Sequence, residues 1–433
     1  MTKKTFFIKS MGCKSNQFEG SLIIENLTNN GFKQVSSLDD ADYFILNSCS
    51  VTHKSDNETL YLLRNALHQH PNIKNILTGC VAQIEKEKLL ELGYIHYIYG
   101  NDDKFKIGDY LKLDNANNVI TDIMQVDKFN YQELIDTTKT RFSLKIQDGC
   151  NNRCAYCIIP FARGKSRSAN SDFIIEQINK ATDKGFKEVV LTGIHIGQWG
   201  IDFNKKFIDL INDIEEKTTI KRYRLGSLNP LEINTELLDI LEQSEKFCPH
   251  FHLSLQSACN KILKSMNRFY TVEHYLDQID DIYNRFNHPF LGCDIIAGFV
   301  GETEDDFNTT IENLRKSKLS KIHTFPYSIR KGTQAETMQG HLDDKIKQER
   351  ADIIKQVSAE KFNIFMKENL DTTQEVLIEK RPDKKTGLLK GVTKNYINVL
   401  INNDIFNKSE YFNTLQYVKL TDLISDKCYG ELQ

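Results

Sequence analysis

No stretch of this 433-residue chain stays apolar for the roughly eighteen residues that a membrane-spanning helix needs. The N-terminus (Met1-Thr2-Lys3-Lys4-Thr5) runs straight into a short strand-like segment and lacks the apolar core of a signal peptide. The expectation is a cytoplasmic protein with no membrane partner. Cysteine is sparse: ten residues are too few for a disulfide scaffold in a chain this long, so grouped cysteines read as metal ligands or reactive thiols of a reducing compartment. An excess of either charge is missing too. The formal net charge of −3 gives no general attraction for nucleic acid and confines any RNA contact to local basic patches. What the chain does have is bulk: 40% hydrophobic residues can bury large cores, and the length suggests about two to four domains.

Three cysteines near the middle form C-x3-C-x2-C in Asp148-Gly149-Cys150-Asn151-Asn152-Arg153-Cys154-Ala155-Tyr156-Cys157, after the alternating apolar residues Phe142, Leu144 and Ile146 of a predicted strand. Three thiolates on one loop can hold three irons of a cubane cluster and leave the fourth open to a small molecule. A structural zinc site would need a fourth Cys or His at ligand spacing, and Ile158, Ile159, Pro160 and Phe161 supply none. Gly164-Lys165-Ser166 would end a phosphate-binding loop only if glycine stood where the chain has Ile159.

Strand-like and helix-like runs alternate on both sides of this motif. Over the first hundred residues the pattern predicts strands at 5–9, 43–47 and 73–78 and helices at 16–29, 53–70 and 83–92, hence a parallel sheet wrapped by helices. Cys13, Cys49 and Cys80 fall at its strand-to-helix turns, where open parallel sheets bind ligands. They read as a second metal site, as small apolar fillers or, for one of them, as a lone catalytic thiol. Residues 108–139 lose the period, with Asn115-Ala116-Asn117-Asn118 as a loop-like cluster, and mark a junction. From Arg141 the predicted strands are 141–147, 187–192, 221–226, 250–255, 290–296 and 321–326. Helices are expected near 171–184, 205–217, 234–243, 272–286, 303–316 and 343–369, which gives a partial barrel with its working face at the strand ends. The last sixty or so residues carry short β-rich runs at 375–379, 387–391, 396–401 and 416–420, suggesting a small β-barrel. Its Lys380, Arg381, Lys384, Lys385, Lys390 and Lys394, close to Tyr396, suit RNA or form a solvated charged face. Cys248, Cys259, Cys293 and Cys428 lack ligand spacing and read as packed thiols, and His250 and His252 read as structural.

Read together, these parts resemble the methylthiotransferases, radical S-adenosylmethionine (SAM) enzymes that insert sulfur and then a methyl group on tRNA or a ribosomal protein. The resemblance covers nearly the whole chain. It rests on Met11-Gly12-Cys13-Lys14-Ser15-Asn16, Asn47-Ser48-Cys49-Ser50, Thr78-Gly79-Cys80-Val81-Ala82-Gln83, Asp148 to Gly164, Leu253-Ser254-Leu255-Gln256-Ser257 and Tyr327-Ser328-Ile329-Arg330-Lys331-Gly332-Thr333. Ala258 and Val300 stand where the family usually has glycine and proline. The resemblance implies an α/β fold in three domains: residues 1–120 with an auxiliary iron–sulfur cluster on Cys13, Cys49 and Cys80, a radical SAM core at 136–370 that is a partial (β/α)6 TIM-like barrel, and a C-terminal TRAM β-barrel at 371–433 that grips substrate. It also implies that Cys150, Cys154 and Cys157 carry the catalytic [4Fe-4S] cluster. Tyr156 is then a candidate for packing on the adenine of SAM, or a core aromatic. Gly193, Ser227, Gln256, Gly298 and Arg330 become candidate SAM contacts, and Arg163, Arg167 and Arg330 candidates for pairing with carboxylate or phosphate or for surface ion pairs. The compact run Arg163-Gly164-Lys165-Ser166-Arg167-Ser168 and Leu191-Thr192-Gly193-Ile194-His195 resemble the subgroup that methylthiolates N6-threonylcarbamoyladenosine next to the anticodon of tRNA. The alternatives are an enzyme acting on isopentenyladenosine or on an aspartate of a ribosomal protein, or a non-catalytic iron–sulfur RNA-binding protein. Expected partners are tRNA and an electron donor such as flavodoxin or ferredoxin, and the expected state is a monomer.

Overall fold

The computed structural model describes residues 3–50, 53–112, 118–131, 133–402, 407–424 and 427–433. Most of the Asn115-Ala116-Asn117-Asn118 cluster lies outside the described residues. Near the N-terminus, strands β1 (Thr5–Ser10), β2 (Lys33–Gln34), β3 (Tyr43–Ser48), β4 (Lys74–Gly79) and β5 (Tyr97–Ile98) form one sheet in the order β2-β1-β3-β4-β5, parallel throughout. Every residue of β3 is buried, as expected for the central strand of a sheet covered on both faces. The covering helices are α1 (Lys14–Asn29), α2 (His53–Gln69), α3 (Cys80–Ile84), α4 (Lys86–Leu90) and α5 (Ile107–Lys112). The single helix expected over 83–92 is instead the pair α3 and α4. Glu85 leaves helical geometry at φ −110° and ψ 24° and splits them, and α3 begins three residues earlier than the apolar pattern indicates, on Cys80 itself.

The middle of the chain is a six-stranded open barrel. β6 (Phe142–Lys145) leads to the short antiparallel pair β7 (Gln147–Asp148) and β8 (Arg167–Ser168), with the one-turn helix α6 (Ile159–Arg163) between them. α7 (Ser171–Asp183), β9 (Glu188–Thr192), α8 (Phe207–Lys217), β10 (Arg222–Leu225) and α9 (Thr235–Gln243) follow. Next come β11 (His250–His252), α10 (Asn260–Ser265), α11 (Val272–Arg285), β12 (Phe290–Ala297), α12 (Glu304–Lys316) and β13 (Lys321–Pro326). Strands β6, β9 and β10 pair in parallel, as do β11, β12 and β13; single bridges Tyr223↔Phe247 and Leu228↔Leu253 join the two groups. β11 is shorter than the expected 250–255, because past His252 the chain makes only isolated bridges as it turns into the rim.

Local chemistry explains why the helices start where they do. Asn170, Asn234 and Thr271 cap α7, α9 and α11, each accepting a hydrogen bond from the backbone amide three residues on, and Thr303 and Asp306 form a capping box on α12. α11 buries Val272, Tyr275, Ile279 and Ile282 along one stripe, each worth about 1.5–3 kcal/mol of transfer free energy.

The 25-residue helix α13 (Asp344–Glu368) closes the far side against β12 and β13, where Ser358 donates to the carbonyl of Ile322 and accepts from its amide. Ile354, Val357 and Phe365 are buried there, whereas Ile346 and Ile353 sit on the outer face. After α13, strands β14 (Thr373–Ile378), β15 (Leu389–Thr393), β16 (Asn398–Ile401), β17 (Leu415–Ile424) and β18 (Lys427–Leu432) close a small barrel in the order β14-β15-β16-β18-β17. β18 has no counterpart among the predicted strands, yet it supplies the closure by pairing with both β16 and β17. Among the described residues no helix is long and apolar enough to cross a membrane.

Candidate functional site

The cysteine loop between β7 and α6 is tied down along its length. The amide of Cys150 donates to the Gly164 carbonyl at 3.1 Å and that of Ala155 to Met266 at 2.9 Å, while the Ala155 carbonyl accepts from Ala335 at 2.8 Å. Asn267 Nδ2 donates to the Arg153 carbonyl at 2.7 Å, and Asn151 Oδ1 accepts from the Ser166 amide at 2.9 Å. Two cationic side chains face the sulfurs. Arg268 Nη1 lies 3.4 Å from Cys154 Sγ, and His195 Nδ1 lies 3.3 Å from Cys150 Sγ with its other nitrogen on Glu232. Burial works to lower the His195 pKa, but its bonds to Cys150 and Glu232 prevail and raise it to about 9, so the ring is an imidazolium at neutral pH. Burial and the neighbouring Cys154 push Cys157 up to about 12. A thiol held that high becomes a thiolate only beside a strong positive charge, which a bound metal centre provides.

Among the described residues no three His, Cys, Asp or Glu side chains gather closely enough to share a single metal ion. Three thiols on one loop suit a polynuclear cluster, whose irons each take one sulfur. Beside the loop lies a cavity of about 240 Å3 lined by Tyr156, Cys157, Gln256, Asp294, Tyr327 and Arg330, among others. Arg330 pairs with Asp56 through Nη1, and among the described residues its buried Nε and Nη2 have no partner, donors suited to a carboxylate such as that of SAM. Gln256 holds a left-handed backbone at φ +70°, a strain that the amide bond to Asp294 and the carbonyl bond from Ile296 fix in place. The donor set, the flanking cations and the open arginine donors therefore fit an iron–sulfur cluster with SAM.

Three of the candidate SAM contacts line this cavity: Tyr156, Gln256 and Arg330. Three do not. Gly193 packs against Gln147, whose Oε1 accepts from the amides of Ile194 and His195. Ser227 shares a 2.8 Å hydrogen bond with His252, and the amide of Gly298 donates to Glu302 at a point where a β-carbon would stand 2.7 Å from Lys347 of α13.

The other three cysteines come together through strand order. β1, β3 and β4 are neighbours in the register Ser10↔Asn47↔Thr78, with Ser48 opposite Gly79. Cys49 and Cys80, each one residue past its strand, therefore leave the sheet side by side, and Cys13 follows Ser10 at the same end. Gly12 touches Cys49: a β-carbon on Gly12 would stand 2.5 Å from Cys49 Sγ. Cys80 opens α3, which packs on α6, and Asn101 Nδ2 lies 3.9 Å from Cys80 Sγ while donating to the Ala162 carbonyl of α6 at 2.8 Å. One asparagine thus spans from the strand-end triad to the helix that Cys157 leads into.

A buried ionic lattice locks this arrangement. Glu19 of α1 is fully buried and takes Lys104 and Lys145 at 2.5 Å and Arg163 at 2.6 Å. Asp148, two residues before Cys150, takes Lys145 at 2.6 Å, Arg163 at 3.3 Å and Arg167 at 3.6 Å. Burial alone would raise both carboxyls. The surrounding cations instead hold Glu19 well below the usual range and Asp148 down to about 2. Ser15 and Thr192 hydroxyls at 3.2 Å, and the His53 amide on Ser328 Oγ at 3.0 Å, add further ties between the sheet and the barrel. Arg163, Arg167 and Arg330 are accordingly buried and engaged with the protein's own carboxylates, not with a surface. Glu19, His195 and Arg268 escape a reading of the sequence because each owes its role to partners far along the chain.

Comparison with known proteins gives one consistent answer. Residues 5–100 match the family model described as "Uncharacterized protein family UPF0004", and residues 144–314 match that of the radical SAM superfamily. The threonylcarbamoyladenosine tRNA methylthiotransferase MtaB of Bacillus subtilis is 31% identical over 405 residues, 92% of this chain and 90% of that protein. The Aquifex aeolicus protein of the same name is 35% identical over 366 residues, covering 83% and 89%. A tRNA-2-methylthio-N(6)-dimethylallyladenosine synthase of Thermodesulfovibrio yellowstonii is 33% identical over 411 residues, 94% of each chain. The radical SAM methyltransferase TsrM of Kitasatospora setae, a solved structure, shares the fold at a TM-score of 0.56 with 10% identity over 78% of this chain and 77% of its own. With the cysteine loop, the cavity beside it and likeness over nine-tenths of its length, this chain belongs to the radical SAM methylthiotransferases, enzymes that use an iron–sulfur cluster and SAM.

Proposed function

We propose that the protein converts N6-threonylcarbamoyladenosine, next to the anticodon of tRNA, to its 2-methylthio derivative, and that it does so with two iron–sulfur clusters. One observation carries the reading: two cysteine triads, one on a loop and one on three strand ends, are fastened to each other by Asn101 and the Glu19 lattice. Relatives at 31% and 35% identity named for this nucleoside support the choice of substrate.

In this reading Cys150, Cys154 and Cys157 hold the SAM cluster, which together with SAM supplies radical chemistry at an unactivated C–H bond. His195 and Arg268 set positive charge against the sulfurs, and Arg330, Gln256 and Tyr156 hold SAM in the adjoining cavity. Cys13, Cys49 and Cys80 hold the auxiliary cluster, the source of the sulfur, at the sheet end that faces the same space. The Glu19 lattice would keep the two triads at a fixed separation, so that two bound centres would face the substrate in one arrangement. We assign residues 1–120 to the auxiliary cluster, 136–370 to the SAM core and 371–433 to gripping the RNA, with a flavodoxin or ferredoxin as electron donor to a cytoplasmic monomer.

The test is nucleoside analysis of tRNA from cells lacking the protein. The 2-methylthio form should vanish while N6-threonylcarbamoyladenosine persists, and an unchanged nucleoside profile overturns the reading. A second reading is favoured by the 33% identity to a dimethylallyladenosine enzyme over 94% of the chain, and it predicts loss of methylthiolated isopentenyladenosine in the same digest.

A further inference from the structure

We propose that the cleft where α1, β6, β9 and the C-terminal barrel meet is an anion site that draws an acidic group of the substrate RNA, a carboxylate or a phosphate, into the lower barrel lumen. The proposal rests on the RNA-modification reading above and names how that substrate is chosen.

The cleft has a volume of about 510 Å3 and is lined by six cationic side chains against a single carboxylate, Glu379. Most of the cations are partly occupied. Lys390 and Arg141 share Glu379 at 3.3 and 3.8 Å, Lys139 lies 3.6 Å from Asp136, and Lys380 donates to the Thr137 carbonyl at 2.6 Å. Lys14 and Arg381 make no ion pair among the described residues. The wall between the cations is Tyr396, which holds a left-handed backbone at φ +72° and lies against the His250 ring at 4.5 Å. Lys14, Arg141 and Arg224 stand over its ring at 5.4, 5.6 and 4.7 Å. Burial would raise the phenol's pKa, yet these same cations lower it.

The placement bears on the reaction. Ser143 and Val190 line the cleft, alternating with Phe142, Leu144, Val189 and Leu191, which pack in the core beneath the helices. The cleft therefore belongs to the lumen side of β6 and β9, below the rim that carries the cysteine loop. Lys14 also follows Cys13 directly. A base presented at the rim, between the triads, would lie above this cleft, and an acidic substituent on it would find Lys14 and the guanidinium of Arg141. A neutral alkyl substituent would leave those cations without a counter-charge. The cleft thus separates acidic from neutral modified bases.

The experiment measures binding of the reconstituted protein to synthetic anticodon stem-loops of one sequence. The loops bear N6-threonylcarbamoyladenosine, its neutral methyl amide or N6-isopentenyladenosine, and affinity is followed by fluorescence anisotropy across a salt series. If the base's carboxylate is the ligand, the wild type binds the acidic loop about ten-fold or more tighter than the amide, and Lys14→Gln with Arg141→Gln erases that preference. If a backbone phosphate is the ligand, the loops bind alike, and the double variant weakens all of them and lowers the salt slope by about one per cation removed. Arg381→Gln, at an exposed position, repeats the test with no burden on folding, and unchanged iron content controls for misfolding. Affinities and salt slopes that stay at wild-type values in both variants overturn the proposal. Nucleoside profiles in cells report on the proposed function separately, since an anion site can persist when the modified base is a different one.

Discussion

The two cysteine triads are positioned by opposite means. Cys150, Cys154 and Cys157 lie within eight consecutive residues, and the loop that carries them is shaped by bonds to Gly164, Met266 and Ala335. Cys13, Cys49 and Cys80 are spread over nearly seventy residues and share one end of the sheet only because β1, β3 and β4 are adjacent and in register. One triad is specified by local sequence and the other by topology, so long-range contacts must form before the second exists. It follows that damage to the fold should reach the strand-end triad first, and that the chemistry of each triad should be separable from that of the other.

The largest expected effect tests that separability. Replacing Cys150, Cys154 and Cys157 by alanine should abolish formation of 5′-deoxyadenosine from SAM. The Cys13→Ala, Cys49→Ala, Cys80→Ala variant should still cleave SAM on reduction yet produce no methylthiolated nucleoside. Each triple variant, reconstituted anaerobically, should lose about half of the iron if both centres are cubanes. Loss of SAM cleavage in both would show that the triads work as one unit, contrary to the comparison.

Next in size is the lattice that joins them. Glu19→Gln leaves Lys104, Lys145 and Arg163 buried around a neutral group, and removal of one partner from a buried ionic cluster costs about 3–5 kcal/mol. The wild-type protein should therefore unfold at clearly higher temperature than the variant near neutral pH. The sign with pH follows from the lowered Glu19 pKa. Its stabilisation is complete above the ordinary glutamate value of 4.5 and fades as pH falls toward the depressed folded value, so the two melting temperatures should converge in acid. A gap that stays constant down to pH values well below 4.5 would assign the effect to packing and not to charge.

These two regions also measure how far sequence carries. The loop triad stands out as a candidate from local sequence alone, because its spacing is contiguous. Strand alternation placed the second triad at the right turns but could not supply the strand order, which decides whether three turns share one place. Glu19 reads as an ordinary helix-surface acid: its partners stand at 104, 145 and 163, and nothing in α1 itself announces its burial. His195 and Arg268 were hidden for the same reason, since each is defined by a sulfur 45 or 114 residues away. Of the basic residues in the C-terminal hairpin, Lys394 binds the Glu245 carbonyl and Lys380 the Thr137 carbonyl, so part of the expected RNA surface instead fastens the small barrel to its neighbours. Helix caps, by contrast, were written in adjacent residues and fell within a residue or two of the expected starts.

The smallest effect compares one glycine from each triad. Gly149 precedes Cys150 at φ +71°, and a β-carbon there would meet the backbone carbonyl oxygen of Lys165 at 1.9 Å. Gly12 precedes Cys13 at φ +80°, and its β-carbon would meet the Cys49 side chain at 2.5 Å. Both substitutions to alanine carry left-handed strain of about 1–3 kcal/mol, but only Gly149 faces backbone that has no room to move. Gly149→Ala should therefore lower the melting temperature of the metal-free protein more than Gly12→Ala does. In Gly12→Ala the neighbour that yields is a thiol, so the loss should appear in iron retained by the strand-end triad and not mainly in stability. Equal iron content in Gly12→Ala and wild type would mean that Cys49 does not serve as a ligand in its present position, and the topological triad would have to be redrawn around the two remaining cysteines.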